Sequence, residues 1–306
     1  MKLLDLSIII GNYNTEELLK KTLTSIYKNT KNINYEIIVI DDGSVDGSVE
    51  MIKRNFPKIK IKKNIKNLGY SKTYNIGTKL SKSRYILHLN SDVFFTKDSS
   101  LDLIIKFMDK NPNIGIAGCK VIKHDGSLDL PCRRSLPTIK NVFFQTTGLY
   151  KIFPKIKSLN YYLTYLPDNK ITKIECIMGA FMLIKKNLIK EIGYLDERFF
   201  IYSEDIDYCY RAIKAGWDVY YFPKITVKHI HGGTTRQFKI KYLLNFHKGM
   251  FLYYNKHMAR RNFFILNLLV YLGILIRLTM LTAYGLVYEA GKHLNLSGNR
   301  NNINRI

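Results

Sequence analysis

The sequence predicts an α/β domain, a mostly parallel sheet flanked by helices, followed by a helical C-terminal segment. Three features carry that expectation. Short apolar, β-branched runs recur at residues 6–10, 36–40, 59–63 and 85–89, with the length and composition of buried strands. Stretches with helical spacing separate them, and repeated strand–helix–strand units build a parallel sheet covered on both faces. Past Asp218 the composition changes, and residues 219–288 contain no Asp or Glu.

The apolar run at the N-terminus is too short for a signal peptide and reads as the first strand, so the chain is expected in the cytoplasm. Asn14 is expected to cap the first helix with Glu17 three residues on, and Leu18, Leu19, Leu23 and Ile26 form its buried stripe. Residues 119–168 hold Pro131, Pro137, Pro154 and Pro167 among many aromatics and read as loops and hairpins. A helix is expected from Glu204, with Ile206, Tyr210 and Ile213 on one face and Gly216 at its end.

Residues 263–288 are almost wholly apolar, broken by Arg277, and follow Lys239, Lys241, Lys248, Lys256, Arg260 and Arg261. As a helix they would extend about 39 Å, enough to cross a bilayer. A single pass would satisfy the positive-inside rule on its basic side. An in-plane or re-entrant helical pair, bent near Gly273 or Gly285, would set Lys and Arg against anionic headgroups and keep Arg277 out of hydrocarbon. A soluble helix on a second subunit, making a homo-oligomer, is the third form. Attachment at the inner membrane face is the expectation.

With 306 residues, 46% of them hydrophobic, the chain can bury a sizeable core. Its 48 Lys and Arg against 24 Asp and Glu leave a net charge of +24. Such a surface suits nucleic acid, anionic lipid or phosphorylated substrates, although Lys, Ile and Asn are abundant throughout. No nucleic-acid motif is present, so nucleic acid is not an expected partner. Cys119, Cys132, Cys176 and Cys209 form no C-x-x-C pair and read as free thiols.

In a sheet of this kind the ligand sits beyond the carboxyl ends of the strands. The first strand runs into Asn12-Tyr13-Asn14, and the second into Asp41-Asp42-Gly43-Ser44-Val45-Asp46-Gly47-Ser48. A carboxylate there can accept a hydrogen bond from the imide N–H of uracil or thymine; the plainer reading is an Asp/Gly turn before a helix capped by Ser48. The fourth strand ends in Asn90-Ser91-Asp92, where an Asp can hold a cation that neutralises a diphosphate. Residues 196–207 contain five carboxylates, with Glu204 and Asp205 at a helix start, where the dipole favours negative charge. Two aromatics leading into the pair, within Phe199 to Tyr202, point to a carboxylate in a partly apolar pocket, as a general base requires. His229 and His231, two apart on a strand-like run before Gly232-Gly233, share a face and suit metal or phosphate.

Taken in order, these blocks resemble the family-two glycosyltransferases of the GT-A fold, and among them the rhamnosyltransferase-like branch that builds bacterial polysaccharides. The blocks are Ser7 to Asn14, Asp41 to Ser48, Asn67-Leu68-Gly69-Tyr70 with Asn75-Ile76-Gly77, Asn90-Ser91-Asp92, Gly179-Ala180-Phe181, Phe199 to Asp207, and His229-x-x-Gly232-x-Thr234. The resemblance implies a catalytic domain over residues 1–236, divided into a nucleotide-sugar half (1–118) and an acceptor half (119–236), with residues 237–306 as the tail. It implies that Asp41 reads the base, and that Asn12, Asn14, Asp42, Asn67, Gly69, Asn75 and Asn90 line the donor site. Asp92 would be the metal aspartate, His229 a second metal-side residue with His231 as the alternative, and Asp205 of the Glu204-Asp205 pair the catalytic base. Asn90 stands where the family's D-x-D motif has its first aspartate, which weakens the metal site. The implied activity is inverting transfer of a sugar, rhamnose among the candidates, from a UDP- or dTDP-sugar to a cell-surface glycan or lipid-linked oligosaccharide, with Mg²⁺ or Mn²⁺.

Two other readings compete. A sugar-phosphate nucleotidyltransferase would open on a G-x-G-T-R loop, and Gly11-Asn12-Tyr13-Asn14 is unlike it. A non-catalytic lipid- or nucleic-acid-binding protein would explain the charge but not the ordered blocks.

Overall fold

A computed structural model describes residues 4–97, 99–153, 156–230 and 240–303, with side chains to residue 287. The fold opens with β1 (Leu6–Asn12), α1 (Glu16–Asn29), β2 (Tyr35–Asp41), α2 (Ser48–Asn55) and β3 (Lys60–Lys63). It continues through α3 (Tyr70–Leu80), β4 (Tyr85–Asn90), β5 (Val93–Phe95), α4 (Leu101–Lys110) and β6 (Ile114–Ile122). Next come α5 (Ile139–Thr147), β7 (Thr172–Ile174), β8 (Phe181–Lys185), α6 (Lys186–Ile192), α7 (Glu204–Lys214) and β9 (Asp218–His229), and then α8 (Ile240–His257) and α9 (Phe264–Ile303).

One sheet carries the order β3-β2-β1-β4-β8-β6-β9-β5, with β7 on β9. β3, β2, β1 and β4 are parallel. The Ile8-Ile9-Ile10 run of β1 is fully buried, as a strand covered on both faces must be. β3 reads Lys-Ile-Lys-Lys and lies exposed at the edge, where lysines discourage pairing with another chain. In register, Asn12 lies beside Asp41 and Gly11 beside Asn90, so the carboxyl ends of β2, β1 and β4 come level. Antiparallel β8 then separates β4 from β6, and the second side of the sheet is mixed. The expected division at residues 118/119 falls inside β6, so one continuous sheet carries both halves.

Several local expectations change. Asn14 does not cap α1: it adopts φ +53° and turns its side chain to the β2–α2 loop, its Oδ1 accepting from Val45 N at 2.8 Å. Asp46 serves the helix start instead, accepting from Glu16 N at 3.0 Å and, with its other oxygen, from Ser48 N at 3.1 Å. One carboxylate thus faces the N-termini of α1 and α2, where the helix dipoles favour it. Ser48 is the first residue of α2, with Gly47 at its N-cap. In α1, Thr22 joins Leu19, Leu23 and Ile26 in the core while Leu18 is half-buried. The deepest apolar positions of α7 are Tyr208, Cys209 and Ala212, and Ile206, Tyr210 and Ile213 are half-buried. The expected loops of residues 119–168 contain the end of β6 and all of α5, whose signal was local: Thr138 and Asn141 form a reciprocal capping box.

The chain divides into two compact units, Met1–Phe200 with Glu204–Thr234, and Ile201–Ser203 with Thr235–Ile306. In the second, α8 and α9 lie antiparallel. Tyr254 Oη donates to Asn267 Oδ1 and Tyr271 Oη to Asn255 Oδ1, both at 2.6 Å. Arg277 Nη1 lies 3.0 Å from His247 Nε2, and its guanidinium covers the Phe246 ring. α9 runs unbroken through Gly273 and Gly285, so the bend expected there falls instead at residues 258–263. Phe264–Val287 is the one helix among the described residues long and apolar enough to cross a membrane. His231 and Lys239 lie outside the described residues.

Candidate active site

The parallel strand ends carry a linked set of polar side chains. Asn12 Nδ2 donates to Asp41 Oδ1 at 2.9 Å and Asn12 Oδ1 accepts from Thr15 Oγ1 at 2.7 Å. Asp41 Oδ2 accepts from Ser44 N at 3.1 Å, and its side chain is fully buried. Asp42 binds the next loop: it accepts from Asn64 Nδ2 at 2.9 Å, Leu68 N at 3.0 Å and Gly69 N at 3.1 Å. Asn67 Oδ1 also accepts from Gly69 N at 3.0 Å. Gly69 has φ +83°, and a Cβ there would come 2.4 Å from Phe200 O. Only glycine admits that approach, which lets Tyr70 N donate to Phe200 O at 2.6 Å. The loop expected at the donor is thereby fastened to the segment that leads into α7.

Asn75 does not join this set. Its Nδ2 donates to Leu195 O and Glu197 Oε1, and its Oδ1 accepts from Leu195 N. The amide staples α3 to the chain before α7, with both its nitrogen and its oxygen engaged there. Tyr74 Oη, on the same helix, donates to Leu89 O at 2.8 Å and lies 3.2 Å from Asn90 Oδ1.

Glu204 and Asp205 open α7, both buried. Asp205 Oδ2 accepts from Arg134 Nη2 at 2.7 Å and from Gly179 N at 2.9 Å. Its Oδ1 accepts from Ile206 N at 2.7 Å. Arg134, itself 7% exposed, also donates to Ile177 O at 2.5 Å. Charge-assisted bonds of this kind fix a carboxylate in orientation. Glu204 is different: its Oε2 is buried with no hydrogen-bond partner among the described residues. Burial, followed by the Asp205 charge, pushes Glu204 up to about 8, so it is protonated at neutral pH. Tyr70 Oη, which donates to Gly179 O at 2.6 Å, is raised by burial and then by Tyr74 and the two acids. Two adjacent carboxyls in such different surroundings, one bonded to a guanidinium and one buried without a partner, are the arrangement acid–base chemistry uses.

Asp92 and His229 meet on the other side of Asn90. His229 Nε2 lies 3.3 Å from Asp92 Oδ1, and its Nδ1 lies 3.6 Å from Asp129 Oδ2. Burial alone would lower the imidazole, but its contacts with Asp129 and Asp92 outweigh that and lift it to about 9. Among the described residues no group of three or more His, Cys, Asp or Glu forms a metal cage. One carboxylate beside one imidazole does fit a cation that shares its shell with substrate phosphates, as Mg²⁺ commonly does. Binding there would displace the imidazole proton.

The family-2 glycosyl transferase model matches residues 7–193, and the chain belongs to that family. It is 23% identical over 263 residues to an N-acetylglucosaminyl-diphospho-decaprenol L-rhamnosyltransferase of Mycobacterium tuberculosis, covering 81% of this chain and 83% of the relative. It is 27% identical over 212 residues to the low-salt glycan biosynthesis hexosyltransferase Agl10 of Haloferax volcanii, covering 68% of this chain and 61% of the relative. Among solved structures, GalNAc-T7 with UDP, GalNAc and Mn²⁺ superposes with a TM-score of 0.58 at 18% identity, over 80% of this chain and 47% of that one. TarS of S. aureus gives 0.54 at 17%, over 81% of this chain and 39% of that one. The chain therefore spans less than half of either structural neighbour. At these identities the likeness concerns the fold, and the expected GT-A class is the fold observed.

Arg134 and Asp129 escaped the reading of the sequence. Both lie in or beside the irregular region, with no spacing that ties them to Asp205 or His229. Tyr74 lay between two recognised blocks, and its helical position five residues after Gly69 was the available clue.

Proposed function

We propose that this family-2 glycosyltransferase moves a sugar from a nucleoside-diphosphate donor to a lipid-linked or cell-surface glycan acceptor, with inversion at the anomeric carbon. The rhamnosyltransferase relative, whose name specifies a diphospho-decaprenol acceptor, favours a UDP- or dTDP-sugar, rhamnose among them. The observation that carries the chemistry is the Asp205 carboxylate, held between Arg134 and Gly179 N. Oδ2 already accepts two bonds, whereas Oδ1 accepts one, from Ile206 N, and keeps a second lone pair for a proton. Asp205 takes the proton of the acceptor hydroxyl as that oxygen attacks the anomeric carbon. The new C–O bond forms on the face opposite the breaking bond to the diphosphate, whose oxygen leaves with the electron pair. Arg134 is a positioning residue for this step, since it touches Asp205 and not the reacting atoms.

Asp41, Asn12 and Asn14 are assigned to the nucleoside, with Asp42, Asn67 and Gly69 shaping the loop beside it. Asp92 and His229 would hold Mg²⁺ or Mn²⁺, which when bound neutralises the departing diphosphate. The tail is assigned to the inner face of the membrane. Arg277 is engaged by His247 and Phe246, and α8 carries Lys241, Lys248 and Lys256. That pairing favours a hairpin lying in the interface over a single span, because a spanning α9 would draw the lysines of α8 toward hydrocarbon.

The deciding experiment is a screen of UDP-, dTDP- and GDP-sugars against a polyprenyl-diphosphate sugar acceptor, with the product's anomeric configuration read by NMR. The expected product has the configuration opposite to the donor. Retention, or no transfer from any of these donors, overturns the reading.

A further inference from the structure

Residues 130–167 contain no Asp or Glu. Within them, the one buried residue of α5 is polar, Asn141, while Phe143 is exposed and Phe144 half-buried. Asn141 Nδ2 donates to Ser135 Oγ at 3.1 Å and to Leu136 O at 2.9 Å, and the capping box with Thr138 completes its anchoring. Three rings of the segment form a contiguous cluster. Phe143 and Phe144 have ring centroids 5.8 Å apart, and Phe144 and Phe153 6.3 Å. Phe143 is 55% exposed, Ile152 66% and Phe153 45%, and Ile156 is exposed beside them. Lys140, Lys151 and Lys157 are exposed along the same segment.

We propose that this patch is a second membrane contact, carried by the catalytic unit itself, which seats in a bilayer containing anionic lipid. A contiguous exposed apolar surface rimmed by charge marks an interaction site. Every charged residue within residues 130–167 is basic, which matches anionic headgroups, while the phenylalanines match the boundary between headgroups and acyl chains. The same segment carries Arg134, nine residues before Phe143, on the Asp205 carboxylate. Seating the patch in lipid would thus anchor the stretch of chain that also supports the proposed base. The inference deepens the lipid-linked acceptor proposed above, but it is tested without any sugar transfer.

The four native cysteines are buried, so a cysteine introduced by Phe153→Cys in the full chain can be labelled selectively with an environment-sensitive dye. On vesicles of phosphatidylglycerol and phosphatidylcholine, the dye is expected to shift to the blue and to be quenched by lipids spin-labelled at shallow acyl depth. Replacing Lys140, Lys151 and Lys157 together by Gln in the labelled chain should weaken that signal's dependence on vesicle concentration by on the order of a hundredfold. A dye that stays in water while the protein sediments with vesicles overturns the patch and leaves the tail as the attachment. The same blue shift without vesicles, growing with protein concentration, assigns the patch to a second copy of the chain and overturns the lipid assignment. Loss of sugar transfer alone bears only on the reading of the active site.

Discussion

Arg134 and Asp205 are joined by a 2.7 Å ion pair between Nη2 and Oδ2, across 71 residues of sequence, with both side chains almost excluded from solvent. Removing a single partner from a buried pair leaves the other charge without compensation. The pair fixes the carboxylate that the proposed mechanism uses, and it sets Asp205 apart from Glu204, its neighbour in the chain. Four experiments follow from this arrangement and from the metal-side pair.

Asp205→Asn should reduce turnover by about 10²–10⁴ while binding of the nucleoside diphosphate, measured by calorimetry, is retained. Turnover within a few-fold of the parent enzyme would remove Asp205 from the role of base.

Arg134→Met should cost about 3–5 kcal/mol of stability in denaturant titrations. In addition, kcat should fall with KM little changed, because the Asp205 carboxylate loses the bond that orients it. Arg134→Lys should restore much of kcat. A variant that is merely less stable, with kcat per folded molecule unchanged, would make Arg134 structural only.

Glu204→Gln should keep activity within about tenfold of the parent, equivalent to about 1.4 kcal/mol, because the residue already works as a neutral group at pH 7. Its folded value, about 8, lies above the ordinary 4.5. The associated stability is therefore fully present below about pH 4.5 and is lost as pH rises through about 8. Melting temperatures recorded across that window should decline more steeply for the parent than for Glu204→Gln. A loss of activity as large as that of Asp205→Asn would transfer the base to Glu204.

EDTA should silence transfer, and millimolar Mg²⁺ or Mn²⁺ should restore it, since one carboxylate and one imidazole make a sparse site. Metal must compete with the proton on His229, which is lifted to about 9, so the half-activating metal concentration should fall as pH rises toward that value. Asp92→Asn should raise it further. Full activity after exhaustive chelation would leave diphosphate neutralisation to protein cations.

The parallel half of the sheet was legible in the sequence because strand burial writes itself locally, as in Ile8-Ile9-Ile10, and because loops after parallel strands carry the ligand-facing residues. Asp92 was singled out in that way, and Glu204 and Asp205 as an acidic pair at a helix start. The cap of α1 was misread because Asn14 has the right chemistry at the right spacing, yet the carboxylate of Asp46, from the next loop, reaches the helix start. Asn75 was likewise visible as a motif residue, but which backbone claims its amide depends on where the chain near Leu195 returns.

The sequence by itself determined the family, the strand–helix order and the position of the acidic pair, since each is encoded within a few consecutive residues. Tertiary structure alone decided that Arg134 holds Asp205, that Asp129 faces His229 and that Glu204 stays protonated. Those are consequences of burial and of charges brought together from distant segments, and no local pattern of residues records the dielectric a side chain will meet once the chain has closed around it.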